Sequence, residues 1–361
     1  MKGLTFQGTS TVEVIDVPDP QILQPTDAIV KVTLAAICGS DLHIFAAGEA
    51  FGFPAGSRLG HEFIGTVEEV GSEVIGLAPG DRVMSSCSVT DGSCVYCGEG
   101  LASSCVEWSL FGWAPRVWQH GGETQGGQSE YVRVPRASST LHRIPEALAG
   151  PDRETTVLPL VDVMSTGMHG IHSAGTQPGQ NVVVIGDGAV GLSGVHAAAA
   201  VGAANVICLG HHPDRLAIAT RLGATEIITT RDNDEIKERV HELTDGQGAH
   251  VVVDSISSPE SMTTAHATVR AGGTISCLGM DHFMGRTPEI NWFDQFLRNI
   301  TVTGGPVPGP GYFTQLLDLV EAGRLEPSPL LAHHLDLADA AEGYAMMAER
   351  RDGVVKVAVR P

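Results

Sequence analysis

Three groups of residues in this 361-residue chain have types and spacings that could do chemistry. The first joins Cys38-Gly39-Ser40-Asp41-Leu42-His43 to Gly60-His61-Glu62. A thiolate and an imidazole nitrogen are ligands that a borderline-soft zinc ion prefers, so Cys38 and His61 are candidate ligands. Ser40 and His43, beside such a ligand, could pass a proton between a substrate oxygen and solvent. Either residue alone reads as an ordinary buried cysteine or core histidine; the joint pattern favours a metal. The second group is Asp91, Cys94, Cys97 and Cys105. Cys94 and Cys97 form a knuckle whose two thiolates can chelate one ion, and Cys105 follows within reach. A closed site needs a fourth ligand. Asp91 stands at the same spacing before Cys94, and Cys87 is its competitor. The third group is Gly186-Asp187-Gly188-Ala189-Val190-Gly191. Here Gly186 allows a tight turn, Gly188 a close approach to pyrophosphate, and Gly191 close helix–strand packing.

The elements flanking the glycines supply the context they need. Val182–Ile185 reads as a fully buried strand and Leu192–Val201 as a helix packed on a sheet. Strand, glycine turn and helix together make a dinucleotide site, with phosphates on the helix N-terminus beside Ala189 and Val190. Before this point the chain carries short β runs with frequent turns: Ala28–Leu34, Phe63–Val70, Asp81–Met84 and Tyr131–Val134. They predict a rolled, mainly antiparallel β domain. From about Val163 strands alternate with helices, which predicts a parallel α/β sheet. Asn205–Leu209 is its second strand, and the residue after it, where an acid would bind a ribose 2′-hydroxyl, is Gly210. Glycine makes room there, and Arg215 with His211 and His212 could hold a 2′-phosphate, which favours NADP(H). The alternative is NAD(H), with Asp214 on the ribose and Arg215 a surface residue. Ligands of such a sheet lie at the strands' carboxyl ends, so Ser255, Leu278 and Met280 are candidates to line the nicotinamide pocket.

Bulk properties narrow the field. A formal net charge of −20 argues against nucleic acid as a partner. No apolar run is long enough to cross a bilayer and no signal pattern opens the chain, so a cytoplasmic location is expected. Seven cysteines in such a chain suggest metal rather than a disulfide framework. Gly311–Gly323 reads as a helix with Phe313, Leu316, Leu317 and Val320 on one face.

These motifs, together with Gly126-Gly-Gln-Ser-Glu-Tyr-Val132, resemble in kind and order the zinc-dependent medium-chain alcohol dehydrogenases. The resemblance implies a GroES-like, mainly antiparallel β catalytic domain and a Rossmann-type doubly wound parallel sheet. It implies that Cys38 and His61 bind a catalytic zinc, with Glu62 close to the metal and able to exchange onto it, and that Ser40 and His43 form a proton relay. Val161–Gly170 is similar to the bacterial and archaeal secondary-alcohol branch, which makes Asp162 the third ligand and adds Thr166 to the cofactor site. The family's structural lobe has four cysteines; Asp91 replaces the first, so a structural zinc there is expected to bind less tightly. The resemblance also places Trp113 in the substrate pocket and Lys356 at the cofactor phosphates. It pairs the Ile300–Gly305 edge strand with a second copy, as dimer or tetramer.

The expected layout is a catalytic domain over 1–163, a dinucleotide-binding domain over 164–305 and a return of 306–361 to the first. The expected activity is reversible hydride transfer between NADP(H) and an alcohol or the matching aldehyde or ketone. The runners-up are a polyol or threonine-type dehydrogenase of the same superfamily and a non-catalytic nucleotide-binding relative.

Overall fold

The structure, a computed structural model, describes residues 1–113, 124–281 and 285–361. The chain forms two compact units: Met1–Asp162 with Pro308–Glu321 and Leu331–Pro361, and Val163–Val307 with Ala322–Leu330. The return expected from 306 is therefore interrupted, because Ala322–Leu330 belongs to the second unit. Two contacts hold it there: Arg324 donates to the Ala200 carbonyl at 2.5 Å, and the Glu326 N–H meets His196 Nε2 at 2.8 Å.

The first unit is built on a seven-stranded sheet. Its central strand, Ala28–Ile37, runs antiparallel to Glu62–Val70 on one side and Val357–Arg360 on the other. Apolar residues dominate the strand, and all of its positions but Lys31 and Thr33 are buried. Register decides what meets at its end. Ala36 lies opposite Glu62, and Ile37 opposite Val357. Cys38, His61, Glu62 and Lys356 therefore emerge at one edge of three adjacent strands.

The second unit is a six-stranded parallel sheet in the order Glu226–Ile228, Asn205–Leu209, Asn181–Ile185, Ala249–Asp254, Val269–Cys277, Thr301–Gly304. Val182, Val183 and Val184 are fully buried, as a strand covered on both faces requires. Successive strands are laid down to one side of Asn181–Ile185 and then to the other. Its carboxyl end is thus the switch point where open α/β sheets hold ligands. Among the described residues, no helix is long and apolar enough to cross a membrane.

One buried network ties the first unit's frame to its chemistry. The Tyr344 hydroxyl donates to Gln128 Oε1 at 2.9 Å, and Gln128 Nε2 donates to the Ala36 carbonyl at 3.0 Å and to Asp41 Oδ2 at 3.1 Å. Tyr344 and Gln128 are both fully buried. Tyr344→Phe removes the donor and leaves a buried amide oxygen unpaired. It should cost roughly 1–3 kcal/mol, read by calorimetry as a downward shift of the first unit's transition. An unchanged transition would mean that the network does not carry stability.

Candidate metal centres and cofactor site

Cys38 precedes the helix Gly39–Ala47, and its backbone N–H donates to Asp41 Oδ2 at 2.9 Å. Ligand atoms of Cys38, His61, Glu62 and Asp162 all lie within 4.8 Å of one another. Cys38 Sγ is 3.6 Å from Asp162 Oδ2, and His61 Nε2 is 3.4 Å from the same oxygen. Donors about 2.0–2.3 Å from a tetrahedral zinc ion stand roughly 3.3–3.8 Å apart, so these distances suit one ion held by three residues. His61 Nδ1 faces Asp41 Oδ1 at 3.4 Å, the second contact that orients a ligating imidazole. Glu62 Oε1 stands 4.0 Å from His61 Nε2, and Glu62 Oε2 is buried without a hydrogen-bond partner. The donor set has the chemistry of a cation site.

Electrostatics agree with that reading. Burial pushes the Cys38 thiol and the Glu62 carboxyl up, with Lys356 opposing both. Burial would pull the His61 imidazole down, but Asp41 and Asp162 outweigh it and hold it well above its ordinary value. Acidic groups thus outnumber cations in a dry place, which a divalent ion would reverse. Ser40 Oγ lies 3.2 Å from His61 Nε2. Ser40 and His43, three residues apart on one helix face, are both half-buried.

Lys356 departs from expectation. It is 1 % exposed, and its ammonium donates to Glu62 Oε1 at 2.5 Å and to the Ile37 carbonyl at 3.3 Å. It is a buried partner of Glu62 and has no exposed charge to offer to cofactor phosphates. Trp113, expected in a pocket wall, has the surroundings of a packing residue. It sits in the apolar core against Phe53, with ring centroids 5.1 Å apart, and Phe51.

The second cluster is Asp91, Cys94, Cys97 and Cys105, again within 4.8 Å. The structure thus brings Asp91 to this cluster. Cys87 instead feels Asp162, His61, Glu62 and Cys38, and burial pushes its thiol far up, so it sits beside the first cluster. Asp91 Oδ1 accepts from the N–H groups of Ser93 at 2.8 Å and Cys94 at 2.9 Å, which hold its carboxyl down at about 2. Cys105 Sγ accepts from the N–H groups of Asp91 and Glu107 at 3.2 and 3.4 Å. Backbone N–H groups of Cys97 and Val106 lower the Cys94 thiol. Amides aimed at sulfur are what a thiolate bound to metal uses.

In the second unit the glycine turn lies between the strand Asn181–Ile185 and the helix Ala189–Ala200. Gly186 turns at φ +109°, and a Cβ on Gly191 would stand 2.1 Å from the Gly186 carbonyl oxygen, so only glycine fits there. Gly188 caps the helix and faces open space, leaving the N–H groups at Ala189 and Val190 approachable. Leu278 is buried and Met280 is 37 % exposed at the end of the Val269–Cys277 strand, and Thr166 lies half-buried on the helix Val163–Ser173. Ser255 Oγ donates to the Ile185 carbonyl at 2.7 Å, against the glycine turn.

Gly210 has a different reason from the one expected. A Cβ there would meet Asp187 Cβ and Oδ2 at 2.7 Å, so the room is already taken. Asp187 is the residue that motif reading passed over. Oδ2 accepts from the N–H groups of His211 at 2.7 Å and His212 at 2.9 Å. Oδ1 faces His212 Nδ1 at 2.9 Å and Arg215 Nη1 at 3.9 Å. Burial would raise its carboxyl, but the backbone donors of His211 and His212 and the His212 ring together keep it below the usual range. The signal was present in the sequence: an acid inside the glycine turn, paired with a glycine where the acid normally stands.

Comparison with known proteins gives the family. Residues 24–146 match the family described as the alcohol dehydrogenase GroES-like domain, and residues 189–322 match the zinc-binding dehydrogenase family. The zinc-type alcohol dehydrogenase-like protein AdhB of Bacillus subtilis is 34 % identical, with all of both chains covered. The NADP-dependent isopropanol dehydrogenase of Clostridium beijerinckii is 32 % identical over 99 % of each chain. The solved structure of the alcohol dehydrogenase TADH from Thermus sp. ATN1 superimposes with a TM-score of 0.90 at 31 % identity, covering 100 % of this chain and 99 % of that one. The chain therefore belongs to the zinc-dependent medium-chain alcohol dehydrogenases, a family of zinc-using oxidoreductases that act on alcohols with a nicotinamide cofactor.

The two clusters should lose metal independently. Cys38→Ser should remove the zinc of the first cluster and Cys94→Ser that of the second, read by elemental analysis of purified protein. Full retention of zinc in either variant would mean that the affected cluster is not a metal centre.

Proposed function

We propose that this protein is an NADP(H)-dependent zinc alcohol dehydrogenase that interconverts secondary alcohols and ketones. The observation that carries the reading is the convergence of Cys38, His61 and Asp162 at zinc-like spacing, with Ser40 against His61. Zinc, when bound, supplies Lewis acidity to the substrate oxygen, and the dinucleotide supplies or takes the hydride. The chain's own residues do the rest. Asp41 fixes the His61 ring so that Nε2 faces Cys38 and Asp162. Ser40 holds the proton of the reacting hydroxyl, and His43, one turn along the helix, moves it outward. Glu62 is held by Lys356 and stands ready beside the donor set. The turn at Gly186, Gly188 and Gly191 seats the pyrophosphate, and Arg215 with His212 meets the 2′-phosphate. A relative described as an NADP-dependent isopropanol dehydrogenase supports both the cofactor and the secondary-alcohol preference.

We further propose that the chain assembles with copies of itself, as a dimer or tetramer. Among the described residues, Thr301–Gly304 pairs only with Val269–Cys277 and leaves its outer edge open. The adjoining helix Trp292–Arg298 exposes Trp292 (71 %), Phe293 (73 %), Phe296 (79 %) and Leu297 (60 %). At roughly 150 Å² each or more, these make an apolar patch of about 500–600 Å² per copy, the upper end for a lone monomer. Doubled by a twofold, with an edge strand added, the area reaches the roughly 1,200 Å² of a specific interface. Phe293→Asp with Phe296→Asp should yield monomers by analytical ultracentrifugation; an unchanged assembly would place the interface elsewhere.

Two measurements test the activity. NADPH oxidation against a panel of ketones and aldehydes should rank ketones first and stop with a zinc chelator; chelator-insensitive turnover would refute the metal mechanism. Ser40→Ala should lower kcat on the order of 100-fold while leaving NADPH affinity unchanged, and wild-type turnover in that variant would remove Ser40 from the relay.

A further inference from the structure

We infer that Asp187 is the positioning residue through which this chain reads the 2′ substituent of its dinucleotide, by aiming His212 and Arg215 at a 2′-phosphate. The inference rests on the dinucleotide reading proposed above and goes beyond it. An acid at the end of the second strand ordinarily selects the unphosphorylated cofactor, because its free oxygens accept a hydrogen bond from the ribose hydroxyl. Asp187 puts a carboxylate in the same neighbourhood by a different route, from inside the glycine turn. Its Cβ and Oδ2 fill the space that a side chain on residue 210 would need.

Asp187 is not free in the way the ordinary acid is. It is 6 % exposed, and its oxygens already take two backbone N–H groups and the His212 ring. A carboxylate has about four acceptor positions, and three are spent on this chain's own donors. Arg215, with its guanidinium 3.9 Å away, offsets the remaining charge. What the carboxylate controls is orientation. With His212 Nδ1 turned inward, Nε2 is the nitrogen directed away from Asp187, on a side chain that stays 35 % exposed. The two backbone bonds to His211 and His212 fix the loop that carries the ring, and the helix Pro213–Arg221 starts directly after it. The effect is an imidazole preset toward the 2′ position, with the mostly buried Arg215 guanidinium (13 % exposed) and the acid beside it.

The opposing view makes Asp187 a like charge that rejects a 2′-phosphate. The two views predict opposite signs for the same substitution. Binding of adenosine 2′,5′-bisphosphate and of adenosine 5′-monophosphate would be measured by calorimetry on the full-length protein. Asp187→Asn should weaken the bisphosphate about tenfold, the size of one lost charge-assisted contact, and leave the monophosphate nearly unchanged. The ratio of kcat/KM for NADPH over NADH should fall in step. Gly210→Ala should act alike, because its new methyl displaces the Asp187 carboxylate while leaving the charge in place. His212→Ala should lose the same preference, and adding Asp187→Asn to it should cost little more. Equal or tighter bisphosphate binding by Asp187→Asn would overturn the inference and make Asp187 a rejecting acid. Loss of both nucleotides in Asp187→Asn and Gly210→Ala alike, with the wild type selective, would make the role purely structural. If the wild type binds neither fragment, the dinucleotide reading fails, and this inference fails with it.

Discussion

The first unit's chemistry depends on burying more acidic groups in one place than a single ammonium can offset. Cys38, Asp41, Glu62 and Asp162 gather around one imidazole and one buried lysine. Such a cluster is costly unless each charge is paired or an added cation completes it. Lys356 neutralises part of the excess through Glu62, and Asp41 is drawn in by the Cys38 N–H and the Gln128 amide. The remainder falls on Cys38, His61 and Asp162, the three groups at zinc-like spacing. The same imbalance that would destabilise a metal-free site raises its affinity for a divalent ion.

Scaffold and site share their hydrogen bonds. Gln128 is fully buried and links Tyr344 to the Ala36 carbonyl and the Asp41 carboxylate. Asp41 in turn faces His61. A packing residue near the C-terminus is thereby connected through three contacts to a candidate ligand near residue 61. Sites preset in this way need little reorganisation when a charged transition state forms.

The second unit solves a related problem with one carboxylate. Asp187 replaces the usual strand-end acid in space but not in role, since most of its acceptor capacity is taken by the loop it orders. The glycine at 210 is the consequence, because two side chains cannot share that volume. A residue's type is thus set by a neighbour twenty-three positions earlier in the chain.

Much of this was legible in the residues themselves. The strand at Val182–Ile185 and the helix after it follow from local residue composition, and the helix with Phe313, Leu316, Leu317 and Val320 inward from local periodicity, both properties of the chain alone. The two cysteine-bearing groups were legible too, because ligand chemistry restricts residue type and spacing. What the residues in order could not decide were contacts made across long separations. The family resemblance places Lys356 at the cofactor phosphates, whereas strand register buries it against Glu62, 294 positions away. Spacing favours Asp91 and leaves Cys87 as its competitor, and the fold brings Asp91 to the cysteine cluster. By residue order Gly210 makes room for a 2′-phosphate, whereas in the tertiary structure Asp187 fills that room. Local energetics write themselves into neighbouring residues, whereas the partner of a buried charge is chosen by strand register and packing.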